Sequence, residues 1–185
     1  YESTETPIII SGCIGPRGDG YVPTDLMSER QAEDYHRSQV ETFADTAVDL
    51  VTAITMNYAA EAIGLTRAAQ LAALPVVISV TVETDGRLPT GQSLGEAIKQ
   101  IDEATSAYPS YFMINCAHPT HFSGVVDGDE AWTSRIRGLR ANASVMSHAQ
   151  LHADPDLHAG QPAPHRLSSP GCAKPPPEQR HDVGR

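Results

Sequence analysis

The chain has 185 residues, of which 40% are hydrophobic and 19% charged, with a net charge of −10. That is enough for one domain with its own core. The acidic balance excludes a nucleic-acid surface, which needs clustered Lys and Arg to release counterions, and no apolar run approaches the roughly 20 residues that span a bilayer. Neither nucleic acid nor membrane is therefore expected as a partner. Three widely spaced cysteines argue against a disulfide framework and for a reducing compartment, by default the cytoplasm. No signal pattern precedes the first apolar triplet. The chain opens on Tyr1 and runs almost at once into apolar sequence, which reads as a fragment lacking its upstream part.

In chain order, Pro7–Ser11 reads as a first strand, ending in the Gly-rich loop Gly12–Gly20. A helix starts at Ser28, with Gln31 completing a capping box, and its apolar face carries Ala32, Tyr35, Val40, Phe43 and Ala47. Asp49–Thr55 is the next strand, and a helix over Ala59–Ala73 stops before Pro75. Pro75–Val82, β-branched almost throughout, is the clearest buried strand. Ser93 and Glu96 form a second capping box, opening a helix that bears Leu94, Ala97, Ile98, Ile101 and Ala104. Tyr111–Ala117 reads as a strand, Ala131–Arg137 as a loose helix and Leu139–Val145 as a weak strand. Beyond Leu151, His, Pro, Ser and charged residues take over, and Pro175–Pro177 is a stiff polyproline stretch. The division expected is a domain over 1–151 and a disordered tail over 152–185.

Strands alternating with helices at this spacing indicate βαβ units on a parallel sheet. An open doubly wound sheet and a closed (β/α)8 barrel both satisfy that pattern. No G-x-G-x-x-G follows a strand, so the dinucleotide fingerprint is absent. A whole barrel needs about 250 residues, and about five strands are legible here.

Chemistry in parallel α/β proteins gathers at the C-terminal ends of the strands. Three places qualify: Ser11–Gly20, Glu83–Gly86, and Asn115-Cys116-Ala117-His118. On residue type alone, a cysteine on an apolar strand such as Cys116 is more often a small buried hydrophobe than a ligand. His118 and His121 read as turn residues beside Pro119, and Glu83 and Asp85 as loop carboxylates with turn chemistry at Asp85-Gly86.

The segments Gly12–Asp19 (G-C-I-G-P-R-G-D), Val82–Gly86 (V-E-T-D-G) and Met113–Cys116 (M-I-N-C), continued by His118-Pro119-Thr120 and Arg140–Ser144, resemble the homocysteine-binding domain of the homocysteine S-methyltransferase family. The resemblance covers roughly residues 7–151. It implies a (β/α)8 TIM-type barrel, here only partly present as about five βα units. It also implies zinc-dependent methyl transfer from a sulfonium or ammonium donor to homocysteine, giving methionine. By the same resemblance zinc is held by three cysteines, one in the N-C position, which makes Cys116 the metal ligand; Glu83 and Asn115 are then candidates for substrate binding. Zinc with three protein ligands leaves a fourth position for the substrate sulfur and lowers its pKa. The partners implied are small molecules: homocysteine and a methyl donor.

This chain departs from the family at three places. A D-G-G segment on a preceding strand and the later G-G-C-C pair have no counterpart, and the lone downstream cysteine is Cys172, in the Pro-rich tail. Ile54 stands where many members carry Glu. Two rival readings follow. One is an inactive truncated fragment of such an enzyme. The other keeps the barrel as a lyase with Glu83 as base, but the two lysines, Lys99 on a helix and Lys174 in the tail, give imine chemistry no support.

Overall fold

The structure, a computed structural model, describes residues 7–154. It contains five parallel strands in one sheet: β1 (Ser11–Ile14), β2 (Leu50–Met56), β3 (Val76–Val80), β4 (Tyr111–Asn115) and β5 (Ile136–Arg140). The helices are α1 (Glu29–Ala44), α2 (Ala59–Leu71), α3 (Leu94–Thr105), α4 (Pro119–Val126) and α5 (His148–Ala153), with a 3₁₀ turn at Ala131–Arg135. The strand order is β1-β2-β3-β4-β5, without reversal. A doubly wound sheet changes direction at a switch point; an unreversed succession of right-handed βα units is the arrangement that builds a barrel wall. The choice left open by the sequence is settled in favour of a partial TIM-type barrel.

Side-chain alternation shows which face the helices cover. Val51, Ala53, Ile78, Val80, Phe112 and Ile114 join one core with Val40, Ile63, Leu65, Ile98 and Ile101 from the helices. On the opposite face Ser11 and Cys13 are exposed, and the Ser11 hydroxyl lies 2.8 Å from that of Thr52. β3, the middle strand, is buried at every position, as its continuous apolar run predicts. The face predicted for α3 is correct: Leu94, Ala97, Ile98 and Ile101 are all buried. Each of its Leu and Ile side chains contributes about 1.5–3 kcal/mol by leaving water. α2 lies between α1 and α3 and buries nine of its thirteen residues, which its small Ala-rich sequence permits. Gly64 lets α1 approach closely, since a Cβ there would stand 2.5 Å from Ala32 Cβ and from the Glu29 carbonyl.

Three helices begin with complete capping boxes, at Ser28/Gln31, Ser93/Glu96 and Ser147/Gln150. The first two were predicted. The third opens α5. Residues 155–185, including Cys172 and most of the expected tail, lie outside the described residues.

The structure corrects several boundaries. The first strand is Ser11–Ile14 rather than Pro7–Ser11, and Ile8, Ile9 and Ile10 are half or more exposed. Sheet pairing begins only at Ser11↔Leu50, and just before it Ile10 and Asp49 are tied by Asp49 N to Ile10 O and Ile10 N to Asp49 Oδ2. Gly12, read as loop, is a strand residue packed under Phe43, whose ring would lie 2.7 Å from an added Cβ. On α1 Ala32 and Val40 are buried as predicted, but so is His36, while Tyr35 is exposed and Ala47 lies beyond the helix, also exposed. The 3₁₀ turn replaces the helix expected over 131–137, and β5 ends at Arg140 rather than Val145. α4 was missed although Pro119 sits at its first turn, where proline's absent N–H costs nothing.

Gly64→Ala is expected to lower stability by about 1–3 kcal/mol in urea unfolding, because the added methyl meets backbone. Gly124→Ala in α4, with open space around it, is expected to raise it by up to ~1 kcal/mol.

Candidate active site

The C-terminal ends of β2, β3 and β4 converge on one buried carboxamide. Asn115, the last residue of β4, is fully buried. Its Oδ1 accepts from the Thr55 amide at 3.0 Å and from the Ser79 hydroxyl at 2.6 Å, and its Nδ2 donates to Thr55 Oγ1 at 2.9 Å. One side chain thus joins three adjacent strands. Thr55 lies in a register shift of β2 and has φ 62°, an unfavourable left-handed conformation for a β-branched residue.

Cys116 follows Asn115 and is likewise left-handed, with φ 54°. Its amide donates to Arg140 O at 3.0 Å, and its own carbonyl accepts from Asn142 Nδ2 at 3.0 Å. The Asn142 amide in turn donates to Ala117 O. Left-handed non-glycine residues cost of order 1–3 kcal/mol and persist where surroundings over-determine them. Here the loop after β5 does so. The thiol is half-buried, at the strand ends where the sequence placed it.

Tyr21, from the loop after β1, reaches this thiol. Burial and the neighbouring Cys116 side chain push its hydroxyl up to about 12. The ring stacks on His148 of α5, with centroids 4.2 Å apart. His148 Nε2 lies 3.2 Å from Thr81 Oγ1 and 3.3 Å from Val82 O, beyond the end of β3. The loop is shaped from within, because Asp19 Oδ1 accepts from the amides of Tyr21 and Val22. Those two bonds hold the Asp19 carboxyl below its ordinary range. Asn57 Nδ2 donates to Asp19 O at 2.9 Å, and Gly20 lies against the Thr55 methyl.

Glu83 begins a turn after β3 in which Gly86 N donates to Glu83 O and Glu83 N to Arg87 O. Asp85 is turn chemistry, accepting from the Arg87 amide at 3.0 Å. The Glu83 side chain is half-buried and has no hydrogen bond or ion pair among the described residues. Ile54 is half-buried on β2. His118 caps α4 by accepting from Thr120 N, and His121 Nε2 lies 2.9 Å from Val145 O. His118 Nδ1 thus serves Thr120, whose hydroxyl also lies 2.8 Å away, and His121 Nε2 serves the Val145 carbonyl. Among the described residues no group of three His, Cys, Asp or Glu side chains converges as a metal cage. Cys116 therefore offers one thiolate, and the described residues do not by themselves fit a complete zinc site.

The structure thus brings Asn115 and Cys116 together as neighbours and places Glu83 at the adjoining strand end. Sequence reasoning missed Tyr21, His148 and Asn57. The Ser147/Gln150 box was the available signal for His148; nothing local marked Tyr21, whose contact is with a residue far along the chain.

A family model for homocysteine S-methyltransferase matches residues 1–165. No curated protein matches in sequence. Among solved structures the chain is similar to the homocysteine methyltransferase MmuM from Escherichia coli. The apo form has TM-score 0.57 and 16% identity, over 74% of this chain and 60% of that one. The metallated form gives 0.58 and 16%, over 75% and 58%. The oxidized form gives 0.54 and 16%, over 75% and 59%. At that identity the likeness is one of fold, and the chain spans about three fifths of the length of these structures.

Asn115→Ala is expected to cost about 2–5 kcal/mol in denaturant unfolding, since it strands the Thr55 amide and the buried Ser79 hydroxyl. Asn142→Ala, which removes one bond to the Cys116 carbonyl, is expected to cost about 1 kcal/mol. Equal, negligible effects would show that the carboxamide does not hold the strand ends.

Proposed function

The chain belongs to the homocysteine S-methyltransferase family, and from that membership we propose that its strand-end site takes part in zinc-dependent methyl transfer to homocysteine, giving methionine. The observation that carries the reading is Cys116, a half-exposed thiol on a fixed left-handed backbone at the end of β4, in a chain that the family model matches along most of its length. In the reaction, the homocysteine sulfur forms a bond to the donor's methyl carbon as the carbon's bond to the donor sulfur or nitrogen breaks. The bonding pair leaves with the donor, which a sulfonium or quaternary ammonium group accepts without becoming an anion, and the thiol proton is lost to solvent. Bound zinc supplies acidification of the substrate thiol.

This chain's residues take three roles in the proposal. Cys116 provides one thiolate ligand, with the other ligands outside the described residues. Glu83, whose carboxylate has no partner among the described residues, pairs with the homocysteine ammonium, a charge-assisted contact. Asn115 serves substrate binding indirectly, because its carboxamide is committed to Thr55 and Ser79 and sets where the neighbouring thiol stands. Tyr21, stacked on His148, borders the thiol. The products and reactants are small molecules, and no helix among the described residues is long and apolar enough to cross a membrane. A second reading, an inactive fragment of such an enzyme, is favoured by the lack of any converging group of three His, Cys, Asp or Glu side chains among the described residues.

The reading is tested on the full chain by metal analysis and by methyl transfer from one sulfonium and one quaternary ammonium donor. Purified wild type is expected to retain zinc and Cys116→Ser to lose it; equal, near-zero zinc in both removes Cys116 as a ligand and favours the fragment reading. Glu83→Gln is expected to raise KM for homocysteine roughly 10- to 100-fold with retained zinc, the weight of a hydrogen bond to a charged group. An unchanged KM excludes Glu83 from substrate binding.

A further inference from the structure

A fully buried polar pair sits between α1 and α2, away from the proposed chemistry. His36 of α1 and Glu61, in the first turn of α2, are both 0% exposed, with Nε2 and Oε1 3.0 Å apart. Their surroundings are otherwise small or apolar, including Ala32, Val40, Ala62 and Gly64. For stability alone, an apolar pair of similar volume would serve such an interface as well or better. The pair is also incompletely satisfied, since His36 Nδ1 and Glu61 Oε2 have no hydrogen-bond partner among the described residues.

What the pair does hold is the loop after β1. Glu61 Oε1 accepts from the Arg17 amide at 2.6 Å as well as from His36. The other end of the same loop is fastened one turn away, where the Met27 amide donates to the Tyr58 hydroxyl at 3.1 Å. Arg17 closes the loop on itself, its guanidinium donating to Asp25 O and lying 5.8 Å from the centre of the Tyr35 ring. Between the two fastenings the chain carries Asp19 and Tyr21, the residue that borders Cys116. His36 anchors Glu61 from the neighbouring helix, so the acceptor for Arg17 cannot swing away.

We propose that the buried Glu61–His36 pair is a positioning device that, with Tyr58, fixes both ends of the 17–27 loop and thereby holds Tyr21 in its stack on His148 at the strand ends, beside Cys116. The purpose of that arrangement rests on the methyl-transfer reading. Its test does not, because it uses neither activity nor metal.

The experiment is peptide-resolved hydrogen exchange on the full chain, with iodoacetamide alkylation of Cys116 in a Cys13→Ser/Cys172→Ser background. The informative variant is Glu61→Leu/His36→Leu, which repacks the interface with apolar side chains and removes the acceptor for Arg17. It is expected to exchange at least about fivefold faster across the 17–27 loop, and to alkylate faster at Cys116, while peptides of α3 and β4 keep wild-type rates. Glu61→Gln, which keeps an oxygen for the Arg17 amide, is expected to restore most of the loop protection. Tyr58→Phe preserves shape and is expected to loosen the Met27 end alone, which gives an independent reading if the double variant does not fold. Wild-type loop exchange in the double variant, or in Tyr58→Phe, overturns the proposal. So does acceleration spread evenly over the chain, which would mark the pair as a stability element only.

Discussion

The strand ends of this protein depend on one amide side chain. Asn115 fastens β4 to β2 and β3 through three hydrogen bonds, and two of its neighbours adopt backbone conformations that no isolated Thr or Cys would choose. Left-handed geometry at Thr55 and Cys116 costs of order 1–3 kcal/mol at each residue, while a typical hydrogen bond returns about 1 kcal/mol net. The carboxamide alone therefore does not carry the arrangement. The loop after β5 completes it, with Arg140 and Asn142 holding both backbone groups of Cys116. Of the six left-handed non-glycine residues among those described, Thr55 and Cys116 are the two that stand at these strand ends.

The same economy governs the loop after β1. Its interior is organised by Asp19 accepting from the amides of Tyr21 and Val22, and its ends by Glu61 and Tyr58. Rigidity at Tyr21 is therefore inherited from α2, which is held between two helices and the sheet. The segment is irregular in backbone but not in attachment.

How much of this was legible from sequence varied with the range of the forces involved. β3 and the face of α3 were readable because burial dictates an uninterrupted apolar run in one case and a 3.6-residue period in the other. The capping boxes at Ser28 and Ser93 were readable because both partners lie within four residues. β1 was misplaced because Ile8–Ile10 looks like a strand, whereas the sheet begins where Asp49 has tied off Ile10. The face of α1 was misjudged by one residue because His36 is buried only by virtue of Glu61, which is distant in sequence. Cys116 was singled out through its N-C setting, whereas Tyr21 and His148, stacked on each other beyond the strand ends, were not, since their placement is a tertiary fact. The role of Asn115 shifted for the same reason: its partners Thr55 and Ser79 belong to other strands.

The three serine capping boxes have a consequence for selectivity. Barrel enzymes commonly seize phosphate with the free amides of a helix N-terminus, where the dipole adds its positive end. At Ser28, Ser93 and Ser147 those amides already serve the chain's own hydroxyls, and the first turn of α2 carries the carboxylate of Glu61. Each of these helix ends thus has one amide fewer to offer an anion, in a protein whose net negative charge favours the approach of cations.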